Sequence, residues 1–230
     1  MALYIDSAFL DDITNVVETL DVAGVTTNPT ILLAARERGQ TLPLPELIEK
    51  LWRACGGGDV FVQPGTTDER EMEQQAREFI TMGIRPYGGK QHVILKLPMT
   101  EAGVRVAKRL KGNIMRRFAF TAVNTTAQAY VAGVMGAEFI IPYYNRMERA
   151  SENAGQRIAE MAKVLRDHQF ETRILAASIK TPQEAANALL AGAHDITAPP
   201  EVLLALIRDA QTENAVERFA RDWQKMNGLS

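Results

Sequence analysis

Short strand-forming runs alternate with helix-like stretches along the whole chain, and that alternation limits its fold more than any other feature. Eight runs read as strands, at residues 3–6, 23–26, 60–63, 93–97, 118–123, 139–142, 173–177 and 195–197. Between them lie helix signals. Asn28-Pro29-Thr30 puts a capping residue before a proline at the first helical position, and the pattern stops at Gly39. Thr181-Pro182-Gln183-Glu184 reads as a capping box whose helix runs to Gly192. A strand that returns through a helix lies parallel to its predecessor, so the sheet is parallel. Eight such units fit an open doubly wound sheet or a closed (β/α)8 TIM barrel. An open dinucleotide-binding sheet calls for G-x-G-x-x-G at the first strand-to-helix junction, and here that junction is Asp6-Ser7-Ala8-Phe9, without glycine. The expectation is the barrel.

The glycines at 56–58 follow a helix pattern at 42–53 and suit a helix end rather than a linker, so residues 1–230 are expected to form one domain. Two helical stretches follow the eighth strand, at 200–210 and within 212–227. The second carries Val216, Phe219 and Trp223 at spacings of three and four, more apolar face than a frayed tail needs. It is expected to dock, on a neighbouring subunit by preference.

Composition removes several function classes. Lys and Arg total 26 against 28 Asp and Glu, which leaves no field for gripping nucleic acid or an anionic membrane. A single cysteine, Cys55, rules out an internal disulfide and a Cys-rich metal site, and the three histidines lack metal-ligand spacing. No apolar run approaches the roughly 18 residues of a membrane span. The opening MALYIDSAFLDD lacks the basic start and apolar stretch of a signal peptide, so cytoplasmic residence is the expectation. The partners left are small molecules and further copies of the chain.

One strand contains an anomaly. Within HVILKLPMTEAG at 92–103, Lys96 stands among aliphatic residues near the strand's C-terminal end, the end at which barrel active sites are built. Strand alternation puts it on the face of Ile94, opposite Val93, Leu95 and Leu97. Burial lowers a lysine pKa, and the resulting neutral amine attacks carbonyls to form a Schiff base. Strand position alone leaves two plainer readings open, a snorkelling lysine or a buried structural ion pair.

Other strand ends are polar too: Asp6, Thr26 with Asn28, Gln63, Thr121, Tyr143 with Arg146, and Ser178 with Lys180. Singly, each has a bland account, since Asp6 and Asn28 suit helix caps, Gln63 a turn and Tyr143 packing. Their convergence on one end of a barrel is harder to explain structurally.

These stretches, AGVTTNPTIL at 23–32, VILKLPMTEAG at 93–103, FTAVNTTAQ at 120–128, AEFIIPYYNRM at 137–147 and LAASIKTPQEA at 175–185, resemble in order and spacing the motifs of the small transaldolase and fructose-6-phosphate aldolase family. The resemblance covers essentially the whole chain. It implies a TIM barrel, a metal-free and cofactor-free Schiff-base mechanism on sugar phosphates and dihydroxyacetone, and pentamers stacked into decamers with the C-terminal helix crossing to a neighbour. By the same resemblance Lys96 is the Schiff-base lysine, while Asp6 and Asn28, with Thr26 beside them, hold the donor hydroxyls. Thr121 helps hold a catalytic water, and Arg146 and Ser178 meet the phosphate; beyond the resemblance, Lys180 beside them offers a further cation for it. Gln63 and Tyr143 follow the aldolase branch, in which the tyrosine serves proton transfer and dihydroxyacetone is released. True transaldolases carry glutamate and phenylalanine at those two positions. The chain departs from the aldolase pattern at Asn124, where an aromatic residue is usual, and at residues 147–153, where a glycine-rich loop is usual. Three functions therefore compete: aldolase, transaldolase, and a catalytically silent barrel that only binds sugar phosphates.

Overall fold

The computed structural model describes residues 1–84, 92–112 and 114–228. In chain order the elements are β1 (Ala2–Ile5), α1 (Leu10–Val17), β2 (Gly24–Thr26), α2 (Pro29–Glu37), α3 (Leu44–Ala54), β3 (Asp59–Val62), α4 (Glu69–Ile84), β4 (Val93–Pro98) and α5 (Glu101–Leu110). They continue as β5 (Phe118–Thr121), α6 (Thr126–Val134), β6 (Phe139–Ile141), α7 (Tyr144–Arg149), α8 (Ala154–Asp167), β7 (Arg173–Ala176), α9 (Pro182–Leu190), β8 (Asp195–Ala198), α10 (Pro200–Ala205) and α11 (Ala210–Met226). All eight strands run parallel and the sheet closes on itself, β1 pairing with β2 on one side and with β8 on the other. This is the expected (β/α)8 barrel with an added C-terminal helix.

Strand alternation divides the core into two shells. Val25, Val60, Val62, Val93, Leu95, Leu97, Phe118 and Phe120 face the helices. Tyr4, Phe61, Ile94, Phe139, Ile141 and Leu175 fill the barrel interior. Tyr4, Phe61 and Phe139 meet edge-to-face at centroid separations of 5.3 to 6.3 Å, so the interior is packed solid rather than hollow. Below them, at the N-terminal ends of the strands, lies an ionic layer. The Arg117 guanidinium spans Asp59 and Glu138, and Arg173 holds Asp195 at 2.6 Å. The Tyr4 hydroxyl faces this layer, and burial first, then the nearby Asp59 and Asp195, push its pKa well above the ordinary phenol value.

Five strands stop earlier at their C-terminal ends than the sequence predicts, while β2 ends as expected and β4 and β8 each run one residue further. β1 ends at Ile5, β3 at Val62, β5 at Thr121, β6 at Ile141 and β7 at Ala176, which moves Asp6 and Gln63 into the loops just above and leaves Tyr143 and Ser178 beyond their strands as expected. Two of these ends are bent sharply, with φ of 58° at both Ala122 and Ser178, a left-handed conformation that ends strand pairing. The helix expected over 200–210 is also shorter: α10 closes at Ala205, and a new helix, α11, begins after Asp209. Asp209 caps α11 through Thr212 N–H at 2.8 Å. The capping box expected at Thr181 is half correct. Thr181 Oγ1 accepts from Glu184 N–H at 3.1 Å, but the Glu184 carboxylate reaches Lys180 N–H instead of the cap's own.

The motif around Lys96 is held by close packing. A Cβ on Gly103 would lie 2.0 Å from the Pro98 carbonyl oxygen, so only glycine lets the first turn of α5 close over the end of β4. No residue of α11 is buried against its own barrel. Among the described residues no helix is long and apolar enough to cross a membrane.

Candidate active site

Lys96 lies on the inner face of β4, with the interior-filling Ile94 on the same face. It is 3% exposed, and Nζ donates to the Thr27 carbonyl oxygen at 3.1 Å. Loss of water lowers its pKa to about 8, against a partial restoring effect of the Asp6 charge. The ammonium therefore still predominates at pH 7, and burial carries the amine only part of the way to the neutral form expected from the sequence. Snorkelling is excluded by the burial, and no carboxylate forms a salt bridge with Lys96 among the described residues.

The other polar residues lie at or beyond the C-terminal ends of the strands, the same end as Lys96. Asp6 follows β1, and its N–H still donates to Ala198 O of β8 at 2.9 Å. Its carboxylate accepts from Thr26 Oγ1 at 2.6 Å, and Thr26 Oγ1 in turn pairs with Thr197 Oγ1 at 2.6 Å. With the Thr26 proton committed to the carboxylate, Thr197 is the donor of the second bond. Thr26 and Thr197 are buried, so their hydroxyls orient Asp6 from below. Thr197 was not among the predicted site residues, although a threonine in the short buried run 195–197 was a visible signal. Thr27 was missed too: its carbonyl holds Lys96, and its own N–H and hydroxyl both bond Phe61 O. A backbone acceptor leaves no mark on residue type.

Strand pairing brings in the remaining groups. Val62 pairs with Leu95, which sets Gln63 level with Lys96 on the neighbouring strand. Gln63 Oε1 is buried and has no hydrogen-bond partner among the described residues, an acceptor that a hydroxyl donor would satisfy. Gln63 also borders a cleft of about 780 Å³ that runs between Pro29, Thr66, Pro98 and Ala102. On the other side, Thr121 Oγ1 and Tyr143 OH lie 2.7 Å apart. The Arg146 guanidinium stacks on the Tyr143 ring at 4.5 Å from its centroid, with its outer face exposed. Asn28 caps α2, its Oδ1 accepting from Ile31 N–H at 2.9 Å, as its plainer reading expects. Ser178 is half-buried above β7, and Lys180 is exposed, its N–H bonded to Glu184. Lys96, Asp6, Thr26, Gln63, Thr121 and Tyr143 thus form an inner group, and Arg146, Ser178 and Lys180 an outer lip.

Known structures with similar shape show the fold alone. A flavocytochrome b2 variant with sulfite bound matches at a TM-score of 0.59 and 11% identity, over 88% of this chain and 58% of its own. Thiamine phosphate pyrophosphorylase from Pyrococcus furiosus matches at 0.58 and 12%, over 88% and 87%. A cube-shaped, highly porous designed protein cage of fused symmetric oligomeric domains matches at 0.58 and 14%, over 100% and 79%. The sequence is more telling: residues 3–229 match the family described as transaldolase/fructose-6-phosphate aldolase. With a family match over nearly its full length and a lysine buried at the working end of its barrel, the chain belongs to the transaldolase/fructose-6-phosphate aldolase family.

Proposed function

We propose that this chain is an aldolase that cleaves and forms the C3–C4 bond of fructose 6-phosphate through a Schiff base on Lys96. The observation that carries this reading is the Lys96 amine itself, buried in an apolar barrel at the C-terminal end of β4 with its pKa lowered to about 8. The neutral amine adds to the C2 carbonyl, and loss of water leaves an iminium that withdraws electrons from C3. Cleavage of C3–C4 sends that electron pair into an enamine and frees glyceraldehyde 3-phosphate as the C4 hydroxyl gives up its proton. The enamine takes a proton at C3, and water then releases dihydroxyacetone and restores the amine. Asp6, fixed by Thr26 and Thr197, serves the proton that moves at C4 and C3, and Tyr143 with Thr121 holds and delivers the water. Asn28 and Gln63 face the donor hydroxyls, and Arg146, Ser178 and Lys180 meet the phosphate. The iminium is the electron sink, so the scheme calls for neither metal nor organic cofactor.

Transaldolase activity is the competing reading, in which the enamine waits for a second aldehyde. Gln63 and the hydroxyl of Tyr143 favour the aldolase, because a phenol bonded to Thr121 can pass a proton to water and a phenyl ring cannot. Purified protein with fructose 6-phosphate alone is expected to release dihydroxyacetone. No free dihydroxyacetone, but conversion of fructose 6-phosphate to glyceraldehyde 3-phosphate and a seven-carbon ketose phosphate once erythrose 4-phosphate is added, would make it a transaldolase. Borohydride reduction with the ketose is expected to fix an adduct at Lys96, and its absence would leave the silent barrel.

The assembly reading rests on α11. Val216, Phe219, Trp223 and Met226 are 59 to 68% exposed along one helix that has no buried residue. A neighbouring copy of this chain in a ring-shaped oligomer is the occupant that this face is built for.

A further inference from the structure

We propose that Glu184 is a positioning residue that locks the two loops of the outer lip together and so sets affinity for the phosphorylated end of the substrate. This deepens, and rests on, the reading of the site as a sugar-phosphate centre. Glu184 is the third residue of α9, and among the described residues it hydrogen-bonds none of the inner group. Its Oε1 accepts from Asn145 Nδ2 at 2.7 Å and its Oε2 from Lys180 N–H at 2.7 Å. Asn145 lies between Tyr143 and Arg146 at the start of α7, and Lys180 lies two residues beyond Ser178. One carboxylate therefore bridges the loop above β6 to the loop above β7.

The bridge completes a seam. Tyr144 N–H donates to Ala177 O at 2.9 Å and Asn145 N–H to Ser178 O at 3.1 Å, so the loops already run side by side. The seam's weak point is Ser178, whose φ of 58° is a conformation that a residue with a Cβ holds only when its surroundings impose it. Glu184 supplies that constraint from both sides, fixing the loop after Ser178 and the side chain next to Arg146. Lower on the same helix, Asn187 lies against the buried Tyr144 hydroxyl, so α9 grips α7 at a second place. Among the described residues the Arg146 side chain has only its stack on Tyr143 to hold it, and an exposed guanidinium binds an anion best when its backbone is fixed. A plain helix cap would not need the second carboxylate oxygen. The half-formed capping box at Thr181 is the trace left in the sequence, since the acid that should return to its own cap is used across the loops.

The test compares wild type, Glu184→Ala and Glu184→Gln on fructose 6-phosphate and on unphosphorylated fructose. Glu184→Ala is expected to raise KM for the phosphorylated ketose about tenfold with kcat within about twofold, leaving fructose kinetics unchanged. Glu184→Gln keeps an acceptor for Lys180 N–H and is expected to recover part of the loss. Asn145→Ala is expected to give the same selective defect and to add nothing to Glu184→Ala. Equal losses on both ketoses, or lowered thermal stability with unchanged kinetics, would reduce Glu184 to a helix cap and overturn the proposal. Calorimetric binding of inorganic phosphate and borohydride trapping at Lys96 separate the two readings. A wild type without a trapped adduct refutes the aldolase, whereas the positioning role then stands or falls on whether Glu184→Ala weakens phosphate binding.

Discussion

Lys96 is costly to the folded chain and, in the proposed Schiff-base scheme, central to its chemistry, and both sides can be measured. Because burial lowers its pKa from 10.5 to about 8, replacing it with an apolar side chain of similar length is expected to stabilise the protein near pH 7 by about 1–3 kcal/mol. Lys96→Met is therefore expected to unfold at higher denaturant while losing all borohydride trapping; a destabilised variant would mean that the Thr27 contact outweighs the burial penalty. The pH dependence follows from the same shift. Between about pH 8 and 10.5 the unfolded chain holds the lysine proton that the folded chain has lost, so wild-type stability climbs with pH there and the gap to Lys96→Met closes. Trapping by borohydride, which needs the neutral amine, is expected to rise about tenfold from pH 6 to 7 and level off above pH 9. Thr197→Val keeps the shape of β8 but removes the hydroxyl that donates to Thr26. It is expected to lower kcat with little change in KM, and an unchanged kcat would show that Asp6 needs no support from below. Lys96 stood out in the sequence because a charge in an aliphatic strand is rare, whereas Thr197 did not, because its importance lies in a contact 171 residues away along the chain.

At the scale of elements, strands and helices were legible and their ends were not. Period-two and period-3.6 patterns mark existence, and the stop of each strand is set by where pairing with its neighbours runs out, as at Thr121, where Ala122 turns to a positive φ. Glu184 illustrates the same limit, since a local motif was right about the helix start and silent on where the carboxylate would go. Two substitutions test the division of the barrel into a stability end and a chemistry end. Arg117→Met strips the counter-charge from Asp59 and Glu138, and is expected to cost about 1–3 kcal/mol while leaving turnover at 25 °C nearly intact. Gly103→Ala acts at the other end. With its Cβ 2.0 Å from a backbone oxygen, α5 must move off β4, and both stability and trapping at Lys96 are expected to fall. Unchanged trapping in a folded Gly103→Ala protein would show that α5 does not position the lysine.

For the whole molecule, the surface to test is α11, whose apolar face is exposed. Phe219→Glu together with Trp223→Glu is expected to give a smaller particle by light scattering, with the far-UV circular dichroism of the barrel retained; an unchanged particle would place the subunit interface elsewhere. By itself the sequence determined the class of fold and the place of a lysine in an aliphatic strand, near the end at which barrel active sites are built, because these depend on periodicity and residue type, which are local. The tertiary structure alone decided how that amine is held and what stands beside it. β1 lies between β2 and β8 only because the sheet closes, and only then can Thr26 and Thr197 meet and orient Asp6. Closure is a cooperative property of all eight strands, so no single stretch of sequence carries it.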